Sequence, residues 1–130
     1  MRVIGIGLDL VDLARVERMV ARHGDRALRR LLTEAERAYV ATRARPAAHI
    51  AARVAAKEAA YKAFQGLPEA RAVGWQDLEV RRHSDGRPTL RLHGFAAELA
   101  SRYGPLDIQL TITHSDATAG AVAIILKSER

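Results

Sequence analysis

Glu58 and Lys62 stand at i and i+4 in RVAAKEAAYKAF, a spacing that sets both side chains on one face of a helix. At about 100° per residue, Ala51, Ala55 and Ala59 flank them. A polar spot on a floor of small residues lets a ligand approach a helix closely; the same two residues also make an ordinary exposed ion pair. Asp9 closes the apolar run VIGIGL, where a carboxylate adds nothing to strand propensity. With Glu58 it could hold Mg2+, which takes few protein ligands and completes its shell with water and phosphate oxygens. The other reading of Asp9 is a helix or turn cap. His114, Ser115 and Asp116 are consecutive, and consecutive residues cannot form a hydrolytic triad, whose members meet through the fold. His114 then reads as a structural histidine or as a phosphate contact at a strand end. Arg15, Arg18 and Arg22 recur at helical spacing and form either a solvated face or a docking face for an acidic partner.

The elements that must position these residues can be read from pattern. Residues 3–8 form a short buried strand. Gly5 and Gly7 match part of a dinucleotide fingerprint, but no third glycine follows, so close backbone packing explains them better. Residues 12–23 fit an amphipathic helix with Asp12 as its N-cap, Gly24 as its stop and Asp25 capping the next. Thr33 and Glu36 have the spacing of a capping box. Pro46 opens the longest helix, rich in alanine, and Gly66 closes it. Residues 67–77 read as a loop. LEVRRH and PTLRLH alternate as strands around the turn SDGR, residues 95–103 form a helix, and 108–115 and 120–126 are two further strands. Helices mixed with hairpin-linked strands predict an α+β fold, an antiparallel sheet with one long and several short helices. No linker or repeat divides residues 1–130, so one domain is expected.

Composition excludes whole classes of function. The absence of cysteine removes disulfides, thiolate metal sites and cysteine nucleophiles. No apolar run approaches the length of a membrane span, and Asp9 and Asp12 break the N-terminal run, so a cytoplasmic protein without a membrane role is expected. A net charge of +6 points to anionic partners. A nucleic-acid module is one such reading, but aromatic residues are only 5% and no paired stacking motif appears, so no nucleic-acid partner is expected. A metal-dependent nuclease using the same carboxylates and a non-catalytic docking subunit are the other rivals. Only three of the 21 basic residues are lysines, which makes the two in KEAAYK conspicuous.

GIGLDLVDLARV at 5–16 and RVAAKEAAYKAF at 53–64 resemble the two signature motifs of the holo-acyl-carrier-protein synthase family. WQDLEVRR at 75–82, DGRP at 85–88 and LTITHS at 110–115 resemble its later segments, in the same order. The resemblance implies a small phosphopantetheinyl transferase of lipid and fatty acid biosynthesis, a homotrimer with active sites between subunits. It implies transfer of the 4'-phosphopantetheine group from coenzyme A to a serine of apo acyl carrier protein, leaving adenosine 3',5'-bisphosphate. Asp9 and Glu58 would be the metal carboxylates, for Mg2+ or Mn2+, and Lys62 a lysine on the substrate phosphate. Arg53, Gly86, Arg87, Pro88, His114 and Ser115 fall in segments associated with coenzyme A. Arg15, Arg18, Met19 and Arg22 lie on the helix that docks the acidic carrier. Val54 replaces a common phenylalanine, and residues 67–74 are variable territory.

Helix geometry adds one expectation. Arg53 and Lys62 are nine residues apart and so point about 180° apart around the axis. If both touch one coenzyme A, Arg53 must serve a neighbouring subunit.

Overall fold

The computed structural model describes residues 1–128. Strand β1 (Arg2–Asp12) leads into three helices, α1 (Leu13–His23), α2 (Asp25–Leu31) and α3 (Glu34–Ala41). The long helix α4 (Pro46–Phe64) follows, then two short 3-10 turns (Ala70–Ala72 and Trp75–Asp77). The hairpin β2 (Leu78–Arg82) and β3 (Pro88–Leu92), helix α5 (Gly94–Tyr103) and the hairpin β4 (Leu106–His114) and β5 (Thr118–Lys127) complete the chain. The α+β expectation holds. The strands divide into an antiparallel three-stranded sheet, ordered β1-β5-β4, and the separate β2-β3 ribbon.

Helix α4 carries no charge in its first turn, starts on Pro46 and draws its stability from alanine propensity and burial. It lies across the inner face of the three-stranded sheet. Ala51, Ala55, Ala59 and Ala63 are buried completely, against β1 and β5 among others. This corrects the reading of Ala51, Ala55 and Ala59 as the floor of a ligand site. They are the surface on which the sheet rests.

The close contact has a second half in β1. Gly5 and Gly7 alternate inward, and a Cβ at either would overlap a backbone carbonyl of α4, that of Ala63 or Ala59 respectively. Only glycine permits that approach. The strand also runs past the expected end, to Asp12, so Asp9 lies inside it and shares the inward side of Gly5, Gly7 and Val11. Three large apolar side chains point the other way. Ile6, Leu8 and Leu10 are 63%, 59% and 69% exposed, so β1 is not a strand buried on both faces as the sequence suggested.

The capping box of Thr33 and Glu36 forms as expected, with Thr33 N donating to Glu36 Oε1 at 2.8 Å and Glu36 N donating to Thr33 Oγ1 at 3.3 Å. Asp12 occupies the N-cap position of α1 without a side-chain cap bond. Asp25 begins α2 rather than capping it; Gly24, at φ 53°, takes that place. The segment 67–77 has more structure than a loop, because Lys57 and Gln76 tie its second turn to the chain before α3.

Candidate active site

Strand alternation and helix periodicity meet at Asp9. The glycines draw β1 onto α4, and the next inward residue after Gly7 arrives beside the last turns of the helix. Lys62 Nζ donates to Leu8 O at 2.9 Å and to Asp9 Oδ1 at 3.2 Å. The lysine side chain is 54% exposed, so the pair stands at the surface. The ordinary ion pair between Glu58 and Lys62 gives way to a bridge between helix and strand.

Glu58 completes the group. Its pKa is pushed up to about 7, first by burial, then by hydrogen bonding to and repulsion from Asp9, against the pull of Lys62 and Arg15. Two carboxylates in contact resist joint ionisation. Asp9 Oδ2 is buried and accepts no hydrogen bond. A second carboxylate forced toward protonation beside a buried oxygen without a partner is a donor set short of positive charge, and it fits a hard divalent cation. No cluster of three or more histidine, cysteine, aspartate or glutamate side chains exists among the described residues, so such an ion would take the remainder of its shell from water and substrate.

Two cavities lie along α4. The first, of about 380 Å3, is lined by Glu58, Lys62 and Tyr61 and by Val73, Gly74, Trp75 and Leu78 across from them. The second, of about 400 Å3, gathers Arg45 and His49 at the start of the helix, Arg82, Gly86 and Pro88 of the hairpin, and His114 and Ser115 at the end of β4. Gly86, Pro88, His114 and Ser115, scattered through the sequence, are thus brought together. Arg87 does not line this cavity; it pairs with Asp85 at 2.8 Å on the exposed turn. Ser115 Oγ accepts from Ala117 N and Thr118 N, shaping the β4-β5 turn.

The second cavity is cationic. His49 is held below its ordinary pKa by burial and by the charges of Arg53, Arg43 and Arg82. Arg53 itself is 4% exposed and lies under Tyr39, its guanidinium 4.3 Å from the ring centroid, with Nη1 donating to His49 O. It backs the cavity wall rather than lining it, and burial pushes its pKa down. Arg15, Arg18 and Arg22 are exposed along α1, and Met19 is half-buried against the core. Arg15 also acts electrostatically on Glu58, linking that face to the site.

Sequence reasoning missed Arg45, His49 and Arg82 in one cavity and Tyr61, Val73 and Trp75 in the other. Arg82 follows the alternation of its strand, and Tyr61 sits three residues after Glu58 on the helix. Nothing local marks the 73–78 segment as a wall.

A carboxylate pair short of positive charge, a lysine beside it and, on another side of α4, a cationic cavity are features suited to binding phosphate esters. The family profile described as the 4'-phosphopantetheinyl transferase superfamily matches residues 5–123, and the chain belongs to that family. It is 42% identical over 126 residues to the holo-[acyl-carrier-protein] synthase of Solibacter usitatus, across 97% of this chain and 99% of that one. The crystal structure of holo-[acyl-carrier-protein] synthase from Neisseria meningitidis superposes with a TM-score of 0.87 at 26% identity, covering 96% of this chain and 99% of that one. A holo-(acyl-carrier-protein) synthase from Bacillus anthracis, in complex with CoA (3',5'-ADP), superposes with a TM-score of 0.78 at 32% identity, covering 98% and 100%. This chain is accordingly a phosphopantetheinyl transferase, and the rival readings as nuclease, nucleic-acid module or docking subunit are set aside.

Proposed function

We propose that this enzyme transfers the 4'-phosphopantetheine group of coenzyme A to a serine of an acidic apo acyl carrier protein, with Mg2+ or Mn2+ held by Asp9 and Glu58. The observation that carries this reading is the adjoining carboxylates Asp9 and Glu58, with Lys62 paired to Asp9 and a cavity lined by Glu58 and Lys62 beside them. Coenzyme A in the Bacillus anthracis relative supports the donor, and the names of the relatives support the acceptor.

The serine oxygen attacks the phosphorus that bears pantetheine. A new P–O bond forms as the bridging P–O bond breaks, and adenosine 3',5'-bisphosphate departs with that electron pair. Catalysis of such a step is mainly positioning and charge neutralisation. A divalent cation, when bound, supplies charge that polarises the pyrophosphate and steadies the leaving group. Lys62 adds a point charge beside the same phosphates. Glu58, beside the position of the reacting phosphate, is the residue we assign to accept the serine proton. Arg45, His49, Arg82 and His114 suit the phosphates of the adenosine end, with Gly86, Arg87, Pro88 and Ser115 around them; Arg53 stiffens that wall. Arg15, Arg18, Met19 and Arg22 form the face for the carrier.

Two features support an assembly of several chains. The two cavities share no lining residue. His49 and Glu58 are nine residues apart, hence about 180° apart around α4. One coenzyme A spans both kinds of site most simply between chains. The exposed row Ile6, Leu8 and Leu10 on the outer sheet face supports burial against another copy. We assign a homotrimer, working in the cytoplasm in the service of fatty acid biosynthesis; no helix among the described residues is long and apolar enough to cross a membrane.

The test is intact-mass analysis of apo carrier protein incubated with enzyme, coenzyme A and Mg2+. The carrier gains one phosphopantetheine, and a chelator abolishes the gain. No gain across several bacterial carrier proteins would overturn the reading.

A further inference from the structure

Helix α2 carries a basic stripe. Arg26, Arg29 and Arg30, at i, i+3 and i+4, are all exposed. The helix has only seven residues, and none of them is buried; Leu28 and Leu31 are partly covered. So short a segment depends on tertiary contacts for its shape. Leu32, just past its end, is buried and pins one point of the chain. The direction of the helix is set by polar contacts instead. Gln76 Nε2 donates to Arg29 O and to Leu32 O, both at 2.7 Å, with Arg30 O at 3.5 Å. Lys57 Nζ donates to Leu31 O at 2.7 Å, and Arg37 Nη1 to Leu32 O at 2.8 Å. Carbonyls that a helix end leaves without partners are thus answered by side chains of other elements. Lys57 and Arg37 hold the last two, and Gln76 reaches back to Arg29 O.

The turn that bears Gln76 is the fixed member of this contact. Val73 and Leu78, on either side of it, are buried. Trp75 O accepts from the sealed Lys57 at 3.0 Å, and Asp77 O accepts from His93 N at 2.8 Å. The same turn walls the cavity beside Glu58 and Lys62, whose lining includes Gly74 and Trp75 but not Gln76. The Gln76 side chain therefore joins the basic helix to the wall of the reacting site without entering that site. An exposed amide adds little to stability, because water takes its place at small cost. Its contribution is orientation. We propose that Gln76 is a positioning residue that fixes α2 and its arginines relative to the wall of the reacting site, so that a docked acidic carrier presents its serine in register with the phosphate. The inference rests on the transfer reaction and the carrier face proposed above, and it adds a residue that touches neither substrate.

Gln76→Leu keeps the size of the side chain and removes both donors. Hydrogen exchange then quickens about tenfold at the amides of α2, with those of β2 unchanged. The kcat/KM for carrier protein falls about tenfold, because small errors of placement weigh heavily on transfer. Coenzyme A affinity by calorimetry and the melting temperature stay close to the parent's. In a chain already carrying Arg26→Glu, Arg29→Glu and Arg30→Glu, the same Gln76→Leu costs no further activity, since the helix it orients no longer attracts the carrier. Loss of coenzyme A affinity in step with carrier turnover would show that Gln76 shapes the cavity and overturn the proposal. Unchanged exchange in α2, unchanged carrier kinetics or fully additive losses overturn it as well, and the transferase reading stands in each of these cases. If the parent transfers nothing to any carrier, the reaction and this role of Gln76 fall together.

Discussion

Lys57 and Lys62 lie five residues apart on α4, and each meets a carboxylate from another element. Lys57 is sealed, with both its side chain and that of Glu36 at 0% exposure and the pair 2.5 Å apart. Its ammonium also donates to Leu31 O and Trp75 O, while Glu36 accepts from Thr33 N and Val80 N. Burial lowers the Lys57 pKa and Glu36 raises it again. Lys62 stands in the open, and its partner Asp9 keeps a buried oxygen without a hydrogen bond. The closed pair has every polar group answered, so it binds α3, α4, the 75–77 turn and β2 into one body. The open pair leaves capacity over, and that capacity is what a cation and a phosphate use. Signature spacing alone does not separate the two lysines; their surroundings do.

Neutralising either carboxylate of the open site has the largest expected effect. Asp9→Asn and Glu58→Gln each lower turnover on the order of a hundredfold or more, because a bound cation's charge stabilisation is worth several kcal/mol. Circular dichroism and the melting temperature remain near the parent's. Near-normal turnover of either variant at low Mg2+ removes that residue from the metal site.

Breaking the closed pair acts on stability instead. Lys57→Met leaves Glu36 buried without its partner and costs about 3–5 kcal/mol in urea unfolding. Lys62→Met costs about 0.5 kcal/mol or less yet depresses transfer. Equal stability losses in the two variants would erase the distinction between the lysines. Replacing both members, Glu36→Leu with Lys57→Met, recovers much of the loss.

Mixing separates the cavities by chain. Lys62→Ala and His114→Ala homomers are each poorly active, and unfolding and reassembling them together restores part of the activity. In a head-to-tail ring only interfaces of the right order combine an intact Lys62 with an intact His114. No recovery despite proven mixing places both residues in one subunit's site.

The raised pKa of Glu58 sets a pH dependence in metal-free protein. Between about 4.5 and about 7 the native state holds a proton that the unfolded chain has lost. Stability from this group is therefore greatest below about 4.5 and falls as pH rises through about 7. Glu58→Gln flattens that part of the profile, and Mg2+ raises the melting temperature more at pH 8 than at pH 5.5. An unchanged slope in Glu58→Gln removes this coupling.

The smallest effect belongs to the α1 face. Arg18→Glu and Arg22→Glu lie farther along α1 than Arg15, which acts on Glu58. Each weakens carrier binding several-fold, as does rising salt, with coenzyme A affinity unchanged. Binding indifferent to both charges and to salt makes the face mere solvated surface.

Much of this was legible in the chain because it is local. The capping box needs only Thr33 and Glu36 three residues apart. Pro46 and a run of alanines suffice for α4, and the hairpins follow from alternation around turn residues. The motifs around Asp9 and Glu58 identified the family through order and spacing. Apart from element bounds and the cap at Asp25, the errors share a cause, since each concerned what an element faces. The alternating pattern of β1 cannot say which of its two sides is the interior. Glycines normally weaken a strand, and here they are its buried side because α4 leaves no room for a Cβ. The alanines likewise looked free for a ligand until the sheet was seen to lie on them.

By itself the sequence determined most of the elements, the Thr33–Glu36 capping box, the family and the residue types available for chemistry, nearly all of which depend on neighbours within a few positions. Tertiary structure decided the rest. It paired Lys62 with Asp9 rather than Glu58, sealed Lys57 with Glu36, and set a cationic cavity and a largely apolar wall on different sides of one helix. Burial and close approach are properties of elements packed together, and they fix the pKa of Glu58, the orphaned oxygen of Asp9 and the shape around Trp75.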